Sequence, residues 1–308
     1  MDKEPAGTIG LAAAYTECRA IARREAKNFY YSFVALPKAR RNAICAIYAF
    51  MRKADDLADD ESLSRADRRV QLDGWISEWH AAIKGGETGD PVFVAVRDAM
   101  ERFAIPESLL DELVAGVTMD LEAGESAEAN TYATFDELYR YCYLVASVVG
   151  LVCIRIFGYS DKRAEKLAEE TGIAFQLTNI LRDVTEDAAR KRVYLPLDMM
   201  ERHGVTVDGL LGRAAGAGPS GNERALLKEI GARAEQYFRS AQELLPLIDR
   251  ESRPALWVLV RIYHGLLNRI EAADYDVFSR RASVPTLEKL GVLGLGMARM
   301  GWTRVARG

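Results

Sequence analysis

Residues 173–196 read IAFQLTNILRDVTEDAARKRVYLP. Gln176, Asn179, Asp183 and Asp187 recur at three- and four-residue steps, the spacing that puts side chains on one stripe of a helix. Ile173, Ala174, Leu177, Ile180, Leu181 and Val184 fill the remainder, so the polar stripe runs through apolar surroundings. Amides and carboxylates in such a setting are costly unless they have partners. An oxygen-only donor set selects a hard cation, and Mg²⁺ is the usual choice where phosphates complete the shell.

A second acidic helix lies upstream, in AICAIYAFMRKADDLADDE over residues 43–61. Tyr48, Arg52, Asp55 and Asp59 again share one stripe, with Asp56 and Asp60 about 100° further round. Alone, this motif reads equally well as the solvated end of a helix or as half of a metal site. Paired with the first stripe it favours the metal site. An acidic cleft repels a phosphate directly but can hold a diphosphate through shared Mg²⁺ ions, with cations nearby. Arg52, Arg182, Arg190, Lys191 and Arg192 are placed to supply them. Such an assembly turns diphosphate into a leaving group. The carbocation left behind could be stabilised by faces of Phe29, Tyr48, Phe50, Tyr141, Phe175 or Tyr263, although each is individually an ordinary core aromatic.

The rest of the chain is consistent with an all-α fold. Apolar residues at helical spacing occupy 11–35, 38–60, 62–84, 90–103, 107–123, 134–157, 161–189, 222–248 and 253–277, with prolines near the joints. No sustained alternation signals a strand, no long repeat appears, and GRAAGAGPSG at 212–221 reads as a loop. With 308 residues, 49% hydrophobic and 28% charged, the chain can bury a large core without disulfides, and one helical domain over 1–308 is expected. A net charge of −4 speaks against a nucleic-acid partner. Four scattered cysteines and an acidic N-terminus without a signal-peptide pattern lead to a cytoplasmic expectation. The apolar run at 141–154 is too short to span a bilayer and is expected in the core.

Other chemistries find no footing. The three histidines form no HExxH, there is no GxSxG, and the GxGxxG of Gly216, Gly218 and Gly221 follows no strand and contains Pro219. That last match assigns no nicotinamide cofactor. His264, beside Tyr263, is expected to be a core or rim histidine.

Five stretches, KNFYYSFVALP, AIYAFMRKADDLADD, YCYLVASVVG, QLTNILRDVTEDAARKRVYLP and RIYHGLLNRIEAADYDVFSRR, run in order from about residue 20 to residue 285. In them the sequence resembles the squalene/phytoene synthase family of head-to-head prenyl diphosphate synthases. The resemblance implies a single isoprenoid-synthase (class I terpenoid synthase) domain with a central cavity, followed by a tail over 286–308. It implies Mg²⁺–diphosphate binding by Asp55, Asp59, Asn179, Asp183 and Asp187, with Arg52, Gln176, Arg182 and Arg192 on diphosphate oxygens or the metal shell. Tyr48, Tyr141, Tyr194 and Tyr263 match tyrosines that line the site in relatives, and Asn28 and Phe29 are expected to contact substrate. Asn28 stands where several relatives carry a hydroxyl residue, which leaves substrate placement there less defined.

The implied reaction couples two prenyl diphosphates, farnesyl more readily than geranylgeranyl, through a cyclopropylcarbinyl intermediate such as presqualene diphosphate. NADPH would enter only if the reaction ran on to squalene. The alternatives are a phytoene synthase acting on geranylgeranyl diphosphate, or a non-catalytic helical assembly factor of the same fold. Head-to-tail prenyltransferases and terpene cyclases share the aspartates, but NILRDVTED argues against both. The tail LEKLGVLGLGMARMGWTRVARG, interrupted by Arg299 and Arg304, is amphipathic with a basic face. It suits a peripheral membrane contact or an ordinary terminal helix equally. Oligomeric state is left open.

Overall fold

Helix follows helix from α1 (Leu11–Glu25) through α2 (Lys27–Val34), α3 (Lys38–Ala58), α4 (Arg65–Ile83), α5 (Pro91–Phe103) and α6 (Glu107–Ala123). The chain continues through α7 (Phe135–Cys142), a π turn (Tyr143–Ser147), α8 (Val148–Phe157), α9 (Arg163–Ala189) and two short helices, α10 (Leu197–Arg202) and α11 (Val207–Leu211). It ends with α12 (Gly221–Leu244), a 3₁₀ turn (Leu245–Leu247), α13 (Arg253–Ala272) and α14 (Thr286–Val305). This computed structural model describes residues 9–123, 131–213 and 216–305, without the side chains of 27, 28, 31, 120, 123 and 297–305. Among the described residues there is no strand, and Tyr159 and Ile248 form an isolated bridge.

Local chemistry sets many of the helix boundaries. Ser64, Asp90 and Thr134 accept N-terminal amide hydrogens of α4, α5 and α7, and Pro91 opens α5 where its missing N–H costs nothing. Ser220 and Glu223 form a reciprocal capping box at the start of α12. Gly158 ends α8 at φ 79°, where a Cβ would fall 2.1 Å from Asp249 Oδ2. Asp249 is in turn held by Arg40 at 2.6 Å, so this glycine ties the end of α8 to the α12–α13 connection.

Besides a small cluster of Ala54, Ala58, Leu72 and Leu121, two large apolar cores form, one centred on α1, α3, α5 and α8 and the other on α9, α12 and α13. Phe29, Tyr143 and Val260 border both. α9 makes its most extensive packing against α12.

Beyond the two short helices α10 and α11, which no expected stretch contained, and the start of α4 at Arg65 rather than 62, the sequence expectation differs from the structure as follows. The stretch 11–35 is two helices, broken at Ala26. α3 stops at Ala58, so Asp59 is its C-cap residue and Asp60 lies beyond. The stretch 134–157 is interrupted by the π turn, which lies against Gly172: a Cβ there would sit 2.5 Å from Ser147 Cα. Finally, α12 and α13 end at Leu244 and Ala272 rather than at 248 and 277. Residues 135–157 are long and apolar enough to cross a membrane by composition. In the fold Val148, Val152, Ile154, Ile156 and Phe157 are buried in the core, and other residues of the stretch face an internal cavity. Cys18, Cys45 and Cys142 are buried free thiols, and Cys153 is half-buried.

Candidate functional site

Between the two cores lies a cavity of about 350 Å³. α3 lines it with Ile44, Ile47, Tyr48, Met51, Arg52 and Asp55, and α9 with Ala168, Thr171, Gly172, Phe175, Gln176 and Asn179. Both sets follow the same offsets, 0, 3, 4, 7, 8 and 11, which is the face of a helix. On each helix the deep residues are apolar or small and the polar ones come last, so the two helices present their polar ends together. The π turn and α8 supply Val145, Ala146, Val149, Gly150, Cys153, Ile154 and Phe157 as a third wall. Phe29 and Phe33 of α2 and Leu259 and Tyr263 of α13 complete it. Eleven residues at 1.5 Å each put Asp55 about 16 Å from Ile44 along the axis of α3. Ile44, Phe157, Leu244 and Leu256 lie at the apolar end.

At the polar end Asn179 is the pivotal residue. Its amide nitrogen donates to Gln176 Oε1 at 3.3 Å and also hydrogen-bonds Tyr263. With its hydrogens engaged, the buried Asn179 Oδ1 has no hydrogen-bond partner. Burial pushes the Tyr263 hydroxyl up to about 12, so it stays protonated. Its ring stacks on Phe175 at 4.3 Å and 13°, and Phe29 is 5.8 Å away on a tilt. Phe33 meets Tyr48 edge-on at 6.1 Å.

Asp183 and Asp187 follow Asn179 by one and two turns. Burial alone would raise the Asp183 carboxyl. Arg182, at 2.8 Å from Nε, and Arg281, at 2.9 and 2.6 Å, hold it below the usual carboxylate range instead. Asp187 has no such clamp, and burial followed by the charge of Asp183 pushes it up to about 7. On α3, Arg52 is ion-paired with Asp56 while its own Nε is buried without a partner. Asp59 and Asp56 are exposed, and Asp60 is turned away onto Ser62.

The donor chemistry fits a hard divalent cation. An orphaned buried amide oxygen and a carboxyl driven toward its neutral form are the features a cation would relieve, and every candidate donor is oxygen. Asn179 and Asp187 carry these two features about 12 Å apart along α9, and no three of Asp55, Asp59, Asp183 and Asp187 converge at ligand distance, so engaging all five donors would take more than one cation.

Of the residues singled out from sequence, the cavity wall brings together Phe29, Tyr48, Arg52, Asp55, Phe175, Gln176, Asn179 and Tyr263, while Phe50 is buried in the first core. Asp183 and Arg182 continue α9 beyond it, and Asp59 caps the end of α3. Arg192 and Tyr194 line a separate small crevice with Asp187. Tyr141 and Tyr194 stack at 5.0 Å and both contact Tyr132, forming a buried tyrosine group outside the cavity wall. The Asn28 side chain lies outside the described residues. Sequence reasoning did not single out Phe33, Tyr132 or Arg281. Arg281 is 98 residues from the Asp183 it grips, and no local spacing links them.

A helical cavity with two aspartate-bearing helices at its polar end defines an isoprenoid-synthase-type enzyme, one that handles an anionic head and an apolar tail in a single site. Residues 22–288 match the squalene/phytoene synthase family model, and the chain belongs to that family. It is a prenyltransferase, and its reaction class is the head-to-head condensation of two prenyl diphosphates. The chain is 38% identical over 293 residues to phytoene synthase 3 of Zea mays, covering 92% of this chain and 65% of that protein. It is 34% identical to 15-cis-phytoene synthase of Synechococcus elongatus, with 94% of each chain covered. Among solved structures it is similar to a dehydrosqualene synthase in complex with ligand, with a TM-score of 0.81, 28% identity and coverage of 94% and 98%. It also resembles a squalene synthase of Alicyclobacillus acidocaldarius, with a TM-score of 0.77, 26% identity and coverage of 88% and 98%.

Proposed function

We propose that the chain, as a single catalytic domain, condenses two farnesyl diphosphates head to head, giving presqualene diphosphate or a C30 product derived from it. The observation that carries this reading is the length of the α3 face that lines the cavity. About 16 Å separates Asp55 from Ile44 along α3, close to the extended length of a farnesyl main chain. Ile44, Phe157, Leu244 and Leu256 lie at that apolar end. A geranylgeranyl tail, one isoprene unit longer, would have to fold back or displace them. The squalene and dehydrosqualene synthases among the similar structures lend support.

Mg²⁺ held by Asp55, Asp59, Asn179, Asp183 and Asp187 would neutralise diphosphate charge and make it a leaving group. Arg52, Arg182 and Arg192 would bind its oxygens, joined by Arg281 when released from Asp183. The apolar walls exclude water, so the allylic cation is captured by the alkene of the second substrate rather than hydrolysed. Phe29, Phe175 and the rings of Tyr48 and Tyr263 offer electron-rich faces to that cation. Loss of a proton closes the cyclopropane. NADPH is required only for a reductive second half-reaction to squalene.

A second reading, condensation of geranylgeranyl diphosphate to phytoene, is favoured by the phytoene synthases among the sequence relatives. Purified protein incubated with each diphosphate and Mg²⁺, with and without NADPH, separates the two by mass spectrometry of lipid and diphosphate fractions. A C30 product from farnesyl diphosphate is expected. A C40 product formed in preference would replace this reading by the second.

A further inference from the structure

The hydrogen-bonding capacity of Asp183 is fully taken up by two arginines. Arg182, its neighbour on α9, donates from Nε to Oδ1 at 2.8 Å and from Nη2 to Oδ2. Arg281 donates to Oδ1 twice, from Nε at 2.9 Å and from Nη2 at 2.6 Å. These four N–H groups match the roughly four lone-pair positions of a carboxylate. Asp183 can therefore coordinate a cation only if one arginine lets go.

The two arginines are not equally able to do so. The Arg182 side chain is 17% exposed, and expelling it would strand a buried charge. The Arg281 side chain is 54% exposed, and its Nε also lies 3.0 Å from Glu186 Oε1, one turn further along α9. On leaving Asp183 it keeps a carboxylate partner and its water. The backbone need not move either. Arg281 stands in the connection between α13 and α14, which is pinned on both sides, by buried Val277 and Phe278 before it and buried Val284 after it. Thr185 donates to Val277 O at 3.4 Å, and the Arg213 guanidinium lies 3.8 Å over the Phe278 ring. Ser279, Arg280 and Ser283, between these anchors, are exposed. Release is the rotation of one side chain on a fixed mount.

We propose that Arg281 is a displaceable latch on Asp183: it competes with a divalent cation for this carboxylate and yields it when a diphosphate offers oxygens to its guanidinium. Metal and diphosphate are then taken up together rather than metal first. The inference rests on the reading of Asp183 as a metal donor. A guanidinium grips carboxylate and phosphate oxygens with the same planar fork, so one partner can replace the other without loss of geometry. Through this single side chain each ligand strengthens the binding of the other.

The full-length protein, stripped of divalent metal and without prenyl substrate, is titrated with Mn²⁺, and free Mn²⁺ is read by electron paramagnetic resonance. R281M is expected to bind Mn²⁺ about fivefold more tightly than the parent, the upper end for an exposed ion pair. R280M removes the same charge from the neighbouring exposed residue and is expected to change affinity by about twofold or less, since an exposed charge is screened. Inorganic diphosphate should tighten Mn²⁺ binding by about fivefold less in R281M than in the parent. Chelation in solution is common to both proteins and cancels in that ratio. Equal Mn²⁺ affinities of parent and R281M overturn the proposal. So does a gain in R280M that matches R281M, because a general field of charge would then suffice. D183N is expected to weaken Mn²⁺ binding in both backgrounds. A D183N without effect removes the metal reading and this inference with it, whereas a D183N loss beside equal affinities of parent and R281M overturns the latch alone.

Discussion

The two acidic helices resemble each other in sequence and differ in setting. α3 ends at Ala58, within its own acidic motif, so Asp56 and Asp59 are exposed and Asp60 is diverted into a turn with Ser62. α9 runs on to Ala189, past both of its aspartates, and carries them along a partly buried groove. Water screens the charge on α3. On α9, by contrast, protein groups must balance it: Arg182 and Arg281 do so for Asp183, while Asp187 is driven toward its neutral form. The comparison shows that a similar run of carboxylates can be cheap or costly depending on where its helix stops, and that the costly member is the one poised to gain most from a cation.

The largest effect is expected at Asp183. Asp183→Ala removes a candidate metal donor and frees two arginines in one step, and turnover should fall by on the order of 10³ or more. Diphosphate release measures the rate, and circular dichroism checks that the helical fold persists. Near-normal turnover in folded protein would remove Asp183 from the site. Asp59→Asn, at the exposed end of α3, should cost less, about tenfold to a hundredfold. If it costs as much as Asp183→Ala, the difference in setting has no catalytic meaning.

Asp187 tests the electrostatic half of the comparison. Its folded value, about 7, lies above the ordinary carboxylate value, so the folded protein holds this proton more tightly than the unfolded chain. That contribution is present at low pH and is lost as the pH rises through about 7. The loss runs from about pH 4 to about pH 7, so metal-free Asp187→Asn should melt a few degrees above the parent at pH 8, by less at pH 5, and with little difference near pH 3.5. It should also lose most Mg²⁺-dependent turnover. Equal melting temperatures at pH 8 would mean that the buried charge is already balanced.

Much of this site was legible in the chain because its parts are local. The repeats Tyr48–Arg52–Asp55 and Gln176–Asn179 lie within single helices, and helical spacing alone orients them. The ends of helices were less legible. Nothing in DDLADDE marks Ala58 rather than Asp60 as the last helical residue, since neither glycine nor proline intervenes. The π turn at Tyr143–Ser147 was hidden for another reason. It lies against Gly172, 25 residues beyond Ser147, whose missing Cβ lets the two backbones meet. Arg281 was invisible because its partner is set by tertiary packing. Tyr141 and Tyr194 carried a site signal through family resemblance, yet their rings stack with Tyr132 outside the cavity wall.

The deep end of the cavity offers a smaller test. Ile44→Ala should cost about 2–4 kcal/mol of stability as a large-to-small core change. Its functional signature is a rise in kcat/KM for geranylgeranyl relative to farnesyl diphosphate, of several fold. An unchanged ratio would mean that Ile44 does not limit chain length and would remove the support drawn from the length of the α3 face.

The smallest effect is expected where the two settings meet, at Tyr263. Its hydroxyl hydrogen-bonds Asn179, and its ring packs on Phe175. Tyr263→Phe keeps the ring and removes one neutral hydrogen bond, worth about 1 kcal/mol. The freed Asn179 amide hydrogen then competes for orientation with Oδ1, the atom offered to the cation. Turnover should fall by roughly fivefold, with a matching rise in the Mg²⁺ concentration needed for half-maximal rate. A loss in turnover with unchanged Mg²⁺ dependence would assign the hydroxyl to the hydrocarbon side of the site. It would leave Asn179 oriented by Gln176 alone, so that α9 positions its own donor without help from α13.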